Sequence, residues 1–248
     1  MTDIHAHLLP GIDDGAQNMK DTLDLLRDSS ESGVTRIVAT PHFNPYYGWN
    51  NFRTPELTQL FESVRQAASA ENIDIDIVLG TEINVDDDSA RLLAEGKLCT
   101  YGNSRYVLAE FDERDTGRWV TSRLEDLVSA GYIPVVAHPE RYYFVTDEPW
   151  IVYDWLEAGC LIQLTKGSIL GSFGQEAQDN SDYLLDEGWV TCIASDGHRS
   201  GGIRNSKMKK IKEYIADVYS EKMARLLLED NPAAIALGKE IVERGVRA

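Results

Sequence analysis

Cysteine is scarce in this sequence. The 248 residues contain three cysteines, Cys99, Cys160 and Cys192, each within an apolar stretch. An odd number of cysteines in such surroundings does not indicate a disulfide framework. It is typical of proteins from a reducing compartment. The sequence therefore excludes the small disulfide-stapled folds.

The sequence also lacks long apolar runs and is poor in basic residues. No run is long enough to span a bilayer and no signal peptide precedes the first motif, so we expect a cytoplasmic protein that is not integral to a membrane. There are 24 Lys and Arg against 41 Asp and Glu, a net charge of −17. Such a surface repels nucleic acid, so we expect no nucleic-acid partner. An anionic substrate would need bound cations that reverse the local sign of charge.

Short apolar runs alternate regularly with helical patterns. This alternation predicts an α/β fold with a parallel sheet, and seven units in ~250 residues favour a closed barrel in one domain, residues 1–248. Strands are predicted at 3–7, 36–40, 75–82, 106–111, 133–138, 161–165 and 190–195. Helices are predicted near 17–32, 54–71, 86–96, 117–130, 147–158 and 175–187, with further C-terminal helices near 204–217, 219–229 and 232–244.

Histidine is scarce too, and its placement is informative. All five histidines lie at or just beyond the predicted carboxyl end of a strand, which is the edge where parallel barrels build their active sites. His5 and His7 are two residues apart, so they project from the same face of the first strand. Six of the seven predicted strands end in a side chain of ligand type, namely His5 and His7, His42, Glu82, Glu110, His138, and Asp196 with His198.

These side chains form a donor set of five imidazoles and four carboxylates, with Asp14 in the turn after the first strand as the fourth carboxylate. Nitrogen and carboxylate oxygen without thiolate suit Mn²⁺, Zn²⁺ or Fe²⁺ better than a structural zinc or an iron–sulfur cluster. Nine donors are too many for one ion. The sequence therefore predicts two or three divalent ions with a bridging carboxylate.

The motifs that carry these residues resemble those of the polymerase and histidinol phosphatase (PHP) family. They are D-I-H-A-H, A-T-P-H, G-T-E, L-A-E-F, A-H-P-E-R-Y and S-D-G-H, in this order. The pairing of H-L-L-P-G-I-D-D-G with H-P-E-R-Y is most similar to the capsule-associated CpsB/YwqE branch of manganese-dependent protein-tyrosine phosphatases. The match runs from Asp3 to about Arg204. It implies a distorted (β/α)7 TIM-like barrel with a trinuclear metal centre.

The resemblance also implies roles for particular residues. His5, His7, Glu82 and Asp196 would hold one ion. Glu82, Glu110 and His138 would hold a second, and Asp14, His42 and His198 a third. Arg141 and Arg204 would bind the substrate phosphate, with His42, Asp196 and His198 also taking part in catalysis.

The expected activity is metal-dependent hydrolysis of phosphotyrosine, in which a hydroxide bridging two ions attacks phosphorus. The expected metal is Mn²⁺, with Fe²⁺, Zn²⁺ or Mg²⁺ as alternatives. By resemblance, the protein substrate would be a bacterial tyrosine kinase that controls capsule or exopolysaccharide synthesis. The sequence leaves the oligomeric state and the general acid open.

Several alternatives stand beside this interpretation. The same centre could serve histidinol phosphate or another small phosphate ester. An amidohydrolase also begins with His-x-His, but it would usually need a lysine where this chain has Glu110. A non-enzymatic kinase-binding protein would be expected to lack ligands. The aromatic loop 43–52, with Tyr46, Tyr47 and Trp49, could either line the pocket or pack on itself.

Overall fold

The structure is a computed structural model that describes residues 1–243. A set of mainly parallel strands forms its centre. All neighbouring strands pair in parallel except β3 and β4, which form an antiparallel hairpin. The strands are β1 (Thr2–Ala6), β2 (Arg36–Ala39), β3 (His42–Asn44), β4 (Trp49–Asn50), β5 (Asp76–Leu79), β6 (Glu82–Asn84), β7 (Tyr106–Glu110), β8 (Ile133–Ala137), β9 (Leu161–Thr165) and β10 (Cys192–Ala194).

The strands close into a barrel with seven strand positions. Pairing runs from β1 to β2 and β5, and from β3 through β6, β7, β8 and β9 to β10. The ring closes where Ala6, at the end of β1, forms a parallel bridge with Gly197. There the His7 amide donates to the Gly197 carbonyl at 2.8 Å. The predicted barrel class is confirmed.

Two predicted strands are broken in the structure. The run 36–40 continues after Thr40-Pro41 as β3, and the predicted strand 75–82 is divided by Gly80-Thr81 into β5 and β6. Pro41 has no N–H to donate to a ladder, so it ends regular pairing there. The hairpin of β3 and β4 was not predicted. These breaks distort the barrel and turn His42 and Glu82, which pair across β3 and β6, toward its carboxyl end.

Helices follow the strands as expected in most places. They are α1 (Met19–Glu31), α2 (Pro55–Ala70), α3 (Ser89–Ala94), α4 (Gly117–Ser129), α5 (Tyr143–Asp147), α6 (Ile151–Glu157), α7 (Lys166–Ile169), α8 (Gln175–Asp186), α9 (Lys209–Val218), α10 (Glu221–Arg225) and α11 (Asn231–Ala236). A π-helical turn, Leu226–Asp230, joins α10 to α11. Among residues 1–243, no helix combines the length and the apolar character that crossing a membrane requires.

Three predicted helix boundaries were wrong. The helix predicted at 147–158 starts only at Ile151, because Pro149 separates it from α5. The helix predicted from 204 starts at Lys209. The one predicted over 232–244 ends at Ala236, where Gly238 takes a left-handed conformation and the Lys239 amide bonds back to the Ala234 carbonyl. Residue 244 lies outside the described residues.

Apolar side chains form two buried clusters. The larger one lies between the barrel and its surrounding helices. The smaller one draws residues from most strands and therefore lies within the barrel, with Ile4, Val38, Leu108, Val135, Leu161 and Cys192 among its members. Ile235 and Ala236 of α11 complete this inner cluster, so α11 covers the amino-terminal end of the barrel. The opposite end is left for polar side chains.

Candidate metal centre

The nine predicted ligands meet at the carboxyl end of the barrel. His5 lies on β1, His42 and Glu82 begin β3 and β6, Glu110 ends β7, and His138 directly follows β8. The remaining four lie in the loops after β1 and β10, namely His7, Asp14, Asp196 and His198. Seven of the nine are buried, while Asp14 and Glu110 are partly exposed. The structure thus brings together every side chain that the sequence singled out.

Glu82 lies at the middle of this cluster. Its Oε2 atom is 3.1 Å from His5 Nε2, from His7 Nε2 and from His42 Nδ1. Its Oε1 atom is 3.2 Å from His138 Nε2. One carboxylate therefore faces four imidazoles. A carboxylate in this position is suited to bridge two cations.

Donor atoms converge in four overlapping groups, each with its atoms within 4.8 Å of one another. The groups are His7, Asp14, His42 and His198; His5, His7 and Asp196; His5, Glu82 and His138; and His42, Glu82 and Glu110. They contain the same nine residues as the three implied ion sites but divide them differently: Glu110 and His138 fall in separate groups, and His7 joins the group of Asp14, His42 and His198. His42 faces Asp14 through Nε2 and both Glu82 and Glu110 through Nδ1, so it lies between two groups.

Four of these donor atoms are buried and make no hydrogen bond of good geometry among residues 1–243, although each lies within about 3.3 Å of another atom of the cluster. They are Asp14 Oδ1, His42 Nδ1, Glu82 Oε2 and His198 Nε2. A buried polar atom without a partner is costly, and here all four point toward other donors. Divalent cations would satisfy all four at once. The donor chemistry of the cluster, imidazole nitrogen with carboxylate oxygen, fits Mn²⁺, Fe²⁺ or Zn²⁺.

The carboxylates dominate the electrostatics of the cluster. Burial lowers the pKa of His5, but Glu82 and Asp196 outweigh burial and raise the pKa to about 9. His42 behaves likewise beside Glu82 and Glu110, with a pKa of about 10. His198 shifts the other way, because burial and the neighbouring His7 lower its pKa to about 4. The cluster therefore attracts positive charge even though the imidazoles crowd one another.

Two buried side chains orient the histidines of the first strand. His7 Nδ1 donates to Asp13 Oδ2 at 3.0 Å, and His5 Nδ1 donates to Gln163 Oε1 at 2.8 Å. Each contact leaves Nε2 facing the cluster, which is how outer partners fix a ligating histidine. Asp13 also accepts from the backbone amides of His42 and Gly15. From the sequence alone, neither Gln163 nor Asp13 was assigned a role, although the Asp13 carboxylate is visible in the G-I-D-D-G turn.

Two residues of the cluster, each just after a strand, have a strained backbone. His138 has a φ of 37° and Asp196 a φ of 51°, both in the left-handed region that non-glycine residues rarely adopt. Backbone hydrogen bonds hold them there, from His138 N to the Gln163 carbonyl and from Asp196 N to the His5 carbonyl. Such strain persists where the surrounding structure enforces it, and it is common at active sites.

Both predicted phosphate-binding arginines lie at the rim of the cluster. Arg141 Nη1 is 3.3 Å from Asp196 Oδ2, and its Nη2 is 2.9 Å from Glu113 Oε1. Arg204 Nη2 donates to both oxygens of Asp196, at 3.0 and 3.1 Å. The two guanidiniums therefore reach the same carboxylate from the segments that follow β8 and β10. Their side chains keep 21% and 32% of their surface exposed, so an anion can reach them.

Comparisons with known proteins agree with this geometry. The sequence model of the family "Capsular polysaccharide synthesis, CpsB/CapC" matches residues 1–237. The tyrosine-protein phosphatase YwqE of Bacillus subtilis is 32% identical over 198 residues, which cover 80% of this chain and 77% of the relative. The tyrosine-protein phosphatase CpsB of Streptococcus pneumoniae is 30% identical, with 97% of this chain and 100% of the relative covered.

Solved structures give the same result. The crystal structures of YwqE from Bacillus subtilis and CpsB from Streptococcus pneumoniae, described as unique metal-dependent tyrosine phosphatases, match with a TM-score of 0.90 at 28% identity, covering 100% of this chain and 98% of the other. A lactonase from Listeria monocytogenes matches with a TM-score of 0.63 at 14% identity, covering 96% and 95%, and shows the barrel fold alone. The chain belongs to the CpsB/CapC family of capsular polysaccharide synthesis.

Proposed function

We propose that this protein hydrolyses phosphotyrosine in proteins and that the buried cluster around Glu82 is its metal centre. The observation that carries the proposal is the set of nine nitrogen and oxygen donors with two arginines at the rim. Relatives that the chain matches over most of its length are named tyrosine-protein phosphatases. The site chemistry and the family point to the same reaction.

The residues would divide the work between holding cations and holding the phosphate. The proposed native metal is Mn²⁺, with Fe²⁺, Zn²⁺ or Mg²⁺ as alternatives. Two or three such ions would be held by the nine clustered side chains, namely His5, His7, Asp14, His42, Glu82, Glu110, His138, Asp196 and His198. When bound, such ions lower the pKa of coordinated water and neutralise phosphoryl charge.

The arginines supply the contacts to the phosphoryl oxygens. Arg141 and Arg204 now bond to Asp196, and Arg141 also to Glu113. A phosphate monoester presents negatively charged oxygens that can bind a guanidinium in the same bidentate manner as those carboxylates, so it can take their place on the guanidiniums. Once the arginines release Asp196, its carboxylate oxygens would be available to bind a cation. Substrate binding and the final arrangement of Asp196 are therefore coupled.

The leaving group makes few further demands on the protein. A tyrosine side chain has a pKa of ~10, so phenolate leaves more readily than an alkoxide and needs less help from a general acid. We assign no residue to that role. His42, Asp196 and His198 would take part in catalysis through the cations that they hold.

The proposed protein substrate is a bacterial tyrosine kinase that governs capsule or exopolysaccharide synthesis, and the proposed location is the cytoplasm. The support for the first is the capsule-synthesis family that the chain matches. The support for the second is that all three cysteines are buried and form no disulfide with one another, as suits a reducing compartment.

The test is phosphate release from a phosphotyrosine peptide and from histidinol phosphate, measured in parallel. The metal-free protein is assayed with added Mn²⁺ and with EDTA. We expect Mn²⁺-dependent release from the peptide and little from histidinol phosphate. Release from histidinol phosphate alone would keep the metal chemistry and overturn the substrate. No release from either ester under any metal would contradict the proposal.

A further inference from the structure

The stretch 43–52, F-N-P-Y-Y-G-W-N-N-F, contains no charged side chain. Charged residues make up 26% of the chain and give it a net charge of −17, whereas residues 45–52 of this uncharged stretch are all exposed or partly exposed. The stretch also directly follows His42, one of the nine clustered donors. An uncharged surface therefore borders the metal centre.

The structure holds this stretch as a tight hairpin. Asn44 pairs with Trp49 across β3 and β4, and Gly48 takes the left-handed conformation that the turn requires. At its base, the Asn51 side chain donates to the carbonyls of His42 and Ile12, at 2.8 and 3.0 Å. The hairpin is thus tied to the loop of the metal centre by hydrogen bonds on both sides.

Three aromatic residues of the hairpin, Trp49, Tyr47 and Tyr46, contact one another in a row that starts at the metal centre. We call these three residues the aromatic ladder. Trp49 stacks on the His42 imidazole, with centroids 4.8 Å apart and planes 14° apart. Tyr47 contacts Trp49 at 5.3 Å and Tyr46 contacts Tyr47 at 5.2 Å. The two tyrosines are 89% (Tyr46) and 60% (Tyr47) exposed. The ladder packs on itself, yet it leaves its outer rings open.

We propose that the aromatic ladder binds the aryl group of a phosphotyrosine and the adjoining peptide, and that it thereby selects aryl over alkyl phosphate esters. This inference rests on the proposed function. In a phosphotyrosine, one ester oxygen joins phosphorus to the ring, so a phosphate held by Arg141 and Arg204 places the ring at the rim of the centre. Aromatic rings there can stack on it, while phosphoserine offers no ring.

Charge gives a second reason for this occupant. A phosphorylated peptide carries about −2 at its phosphate near neutral pH, and a surface of net charge −17 repels it. The stretch 43–52, which carries the ladder, contributes no carboxylate to the surface beside the centre. Tyrosine side chains have few rotatable bonds, so they lose little conformational freedom when they contact a peptide. The ladder therefore suits a flexible anionic peptide that must reach a cation site on an acidic protein.

The experiment compares three variants of the full-length protein loaded with Mn²⁺. Y46A/Y47A removes the exposed rings, Y46F/Y47F keeps the rings without their hydroxyl groups, and W150A removes an exposed aromatic ring that lies outside the ladder. Each is assayed with a phosphotyrosine peptide and with a phosphoserine peptide of the same sequence. Binding of phenylphosphonate and methylphosphonate is measured by calorimetry, which requires no turnover.

For Y46A/Y47A we expect KM for the phosphotyrosine peptide to rise roughly tenfold with little change in kcat, because two stacking contacts are lost. The preference for phosphotyrosine over phosphoserine, and for phenylphosphonate over methylphosphonate, should fall by a similar factor. Y46F/Y47F and W150A should behave as the unaltered protein does.

Three results would overturn the inference alone, provided that the unaltered protein hydrolyses phosphotyrosine. They are unchanged selectivity in Y46A/Y47A, an equal loss in Y46F/Y47F, and a dimer of the unaltered protein that Y46A/Y47A dissociates, since the ladder would then serve self-association. If the unaltered protein releases no phosphate from either peptide, the proposed function itself fails and the inference fails with it.

Discussion

The two ends of the barrel are built from the same strands and differ in almost every physical respect. The amino-terminal end is covered by α11, with Ile235 fully buried against the inner apolar cluster. Polar groups that line this end form internal hydrogen bonds: the Tyr101 hydroxyl donates to the Ile4 carbonyl at 2.9 Å, and the Asn231 side chain donates to the Thr191 carbonyl at 2.9 Å. The carboxyl end gathers nine potential ligands with Glu82 in the middle; seven of them are buried, and several have atoms without a hydrogen-bond partner among residues 1–243. At the amino-terminal end these polar groups bond to other groups of the protein, whereas at the carboxyl end several polar atoms are positioned to bind a ligand.

From this difference we expect the residues that stabilise the fold to be separate from the residues that support the proposed activity. Burying imidazoles and carboxylates with unsatisfied atoms costs stability, and so does the left-handed backbone of His138 and Asp196. Apolar packing elsewhere must offset both costs. Substitutions at the carboxyl end should therefore reduce activity far more than stability, and substitutions at the amino-terminal end should do the reverse.

The largest effect on activity should come from His138→Ala. The His138 imidazole contacts Glu82, so its loss opens the centre and should lower kcat/KM for a phosphotyrosine peptide roughly a thousandfold, which corresponds to about 4 kcal/mol. The unfolding temperature of the metal-free protein should stay within about 4 °C of the unaltered value, because the side chain that is removed has a buried nitrogen without a hydrogen-bond partner among residues 1–243. Phosphate release and thermal unfolding would be measured on the same preparation. Full activity would remove His138 from the site.

Much of the carboxyl end could be predicted because its signal is local. Parallel strands read as short apolar runs, and each ligand follows directly where such a run stops, so strand order alone brings the ligands together. The family resemblance then grouped them into ion sites. The structure supports the proximity of all nine, while their roles as ligands and the one-domain division of residues 1–248 stay predictions.

What could not be predicted depends on contacts between distant segments. Asp13 orients His7 only because the loop after β1 folds back, with Gly15 so close to the His7 carbonyl that a Cβ atom would clash with it. The hairpin of β3 and β4 depends on tertiary pairing over two or three residues, too short for a periodic signal. The early end of α11 was readable in principle, because Gly238 marks it.

A smaller effect is expected from Arg141→Ala. The guanidinium contacts Asp196 at the rim and does not lie among the nine donors, so its loss should weaken phosphate binding. We expect kcat/KM to fall roughly 10- to 100-fold, mostly through KM. Arg141→Lys should recover part of this loss, because it restores the charge but not the bidentate geometry. Steady-state kinetics with both variants would decide, and unchanged KM and kcat would place Arg141 outside the substrate site.

Asp13→Asn should affect metal binding more than turnover. The substitution removes the negative charge that accepts the His7 Nδ1 proton, and loss of such an outer contact typically weakens metal affinity about 10- to 100-fold. Activity should return toward the unaltered level when Mn²⁺ is raised to saturation. Titration of the metal-free protein with Mn²⁺ would measure the shift, and Asp154→Asn, at an exposed carboxylate on α6, is the matched control. Unchanged Mn²⁺ affinity in Asp13→Asn would show that the contact does not position His7.

The smallest effect on activity should come from the amino-terminal end, where Ile235→Ala is the sharpest test. Ile235 is fully buried, and truncating it should lower the free energy of unfolding by about 3 kcal/mol and the unfolding temperature by roughly 6–12 °C. At a temperature well below unfolding and with saturating Mn²⁺, kcat/KM should remain that of the unaltered protein. Leu237→Ala, at a neighbouring side chain that is 43% exposed, should cost less than about 1 kcal/mol. If Ile235→Ala lowered kcat/KM while leaving the unfolding temperature unchanged, the two ends would be coupled, and the separation of stability from function along the barrel axis would be wrong.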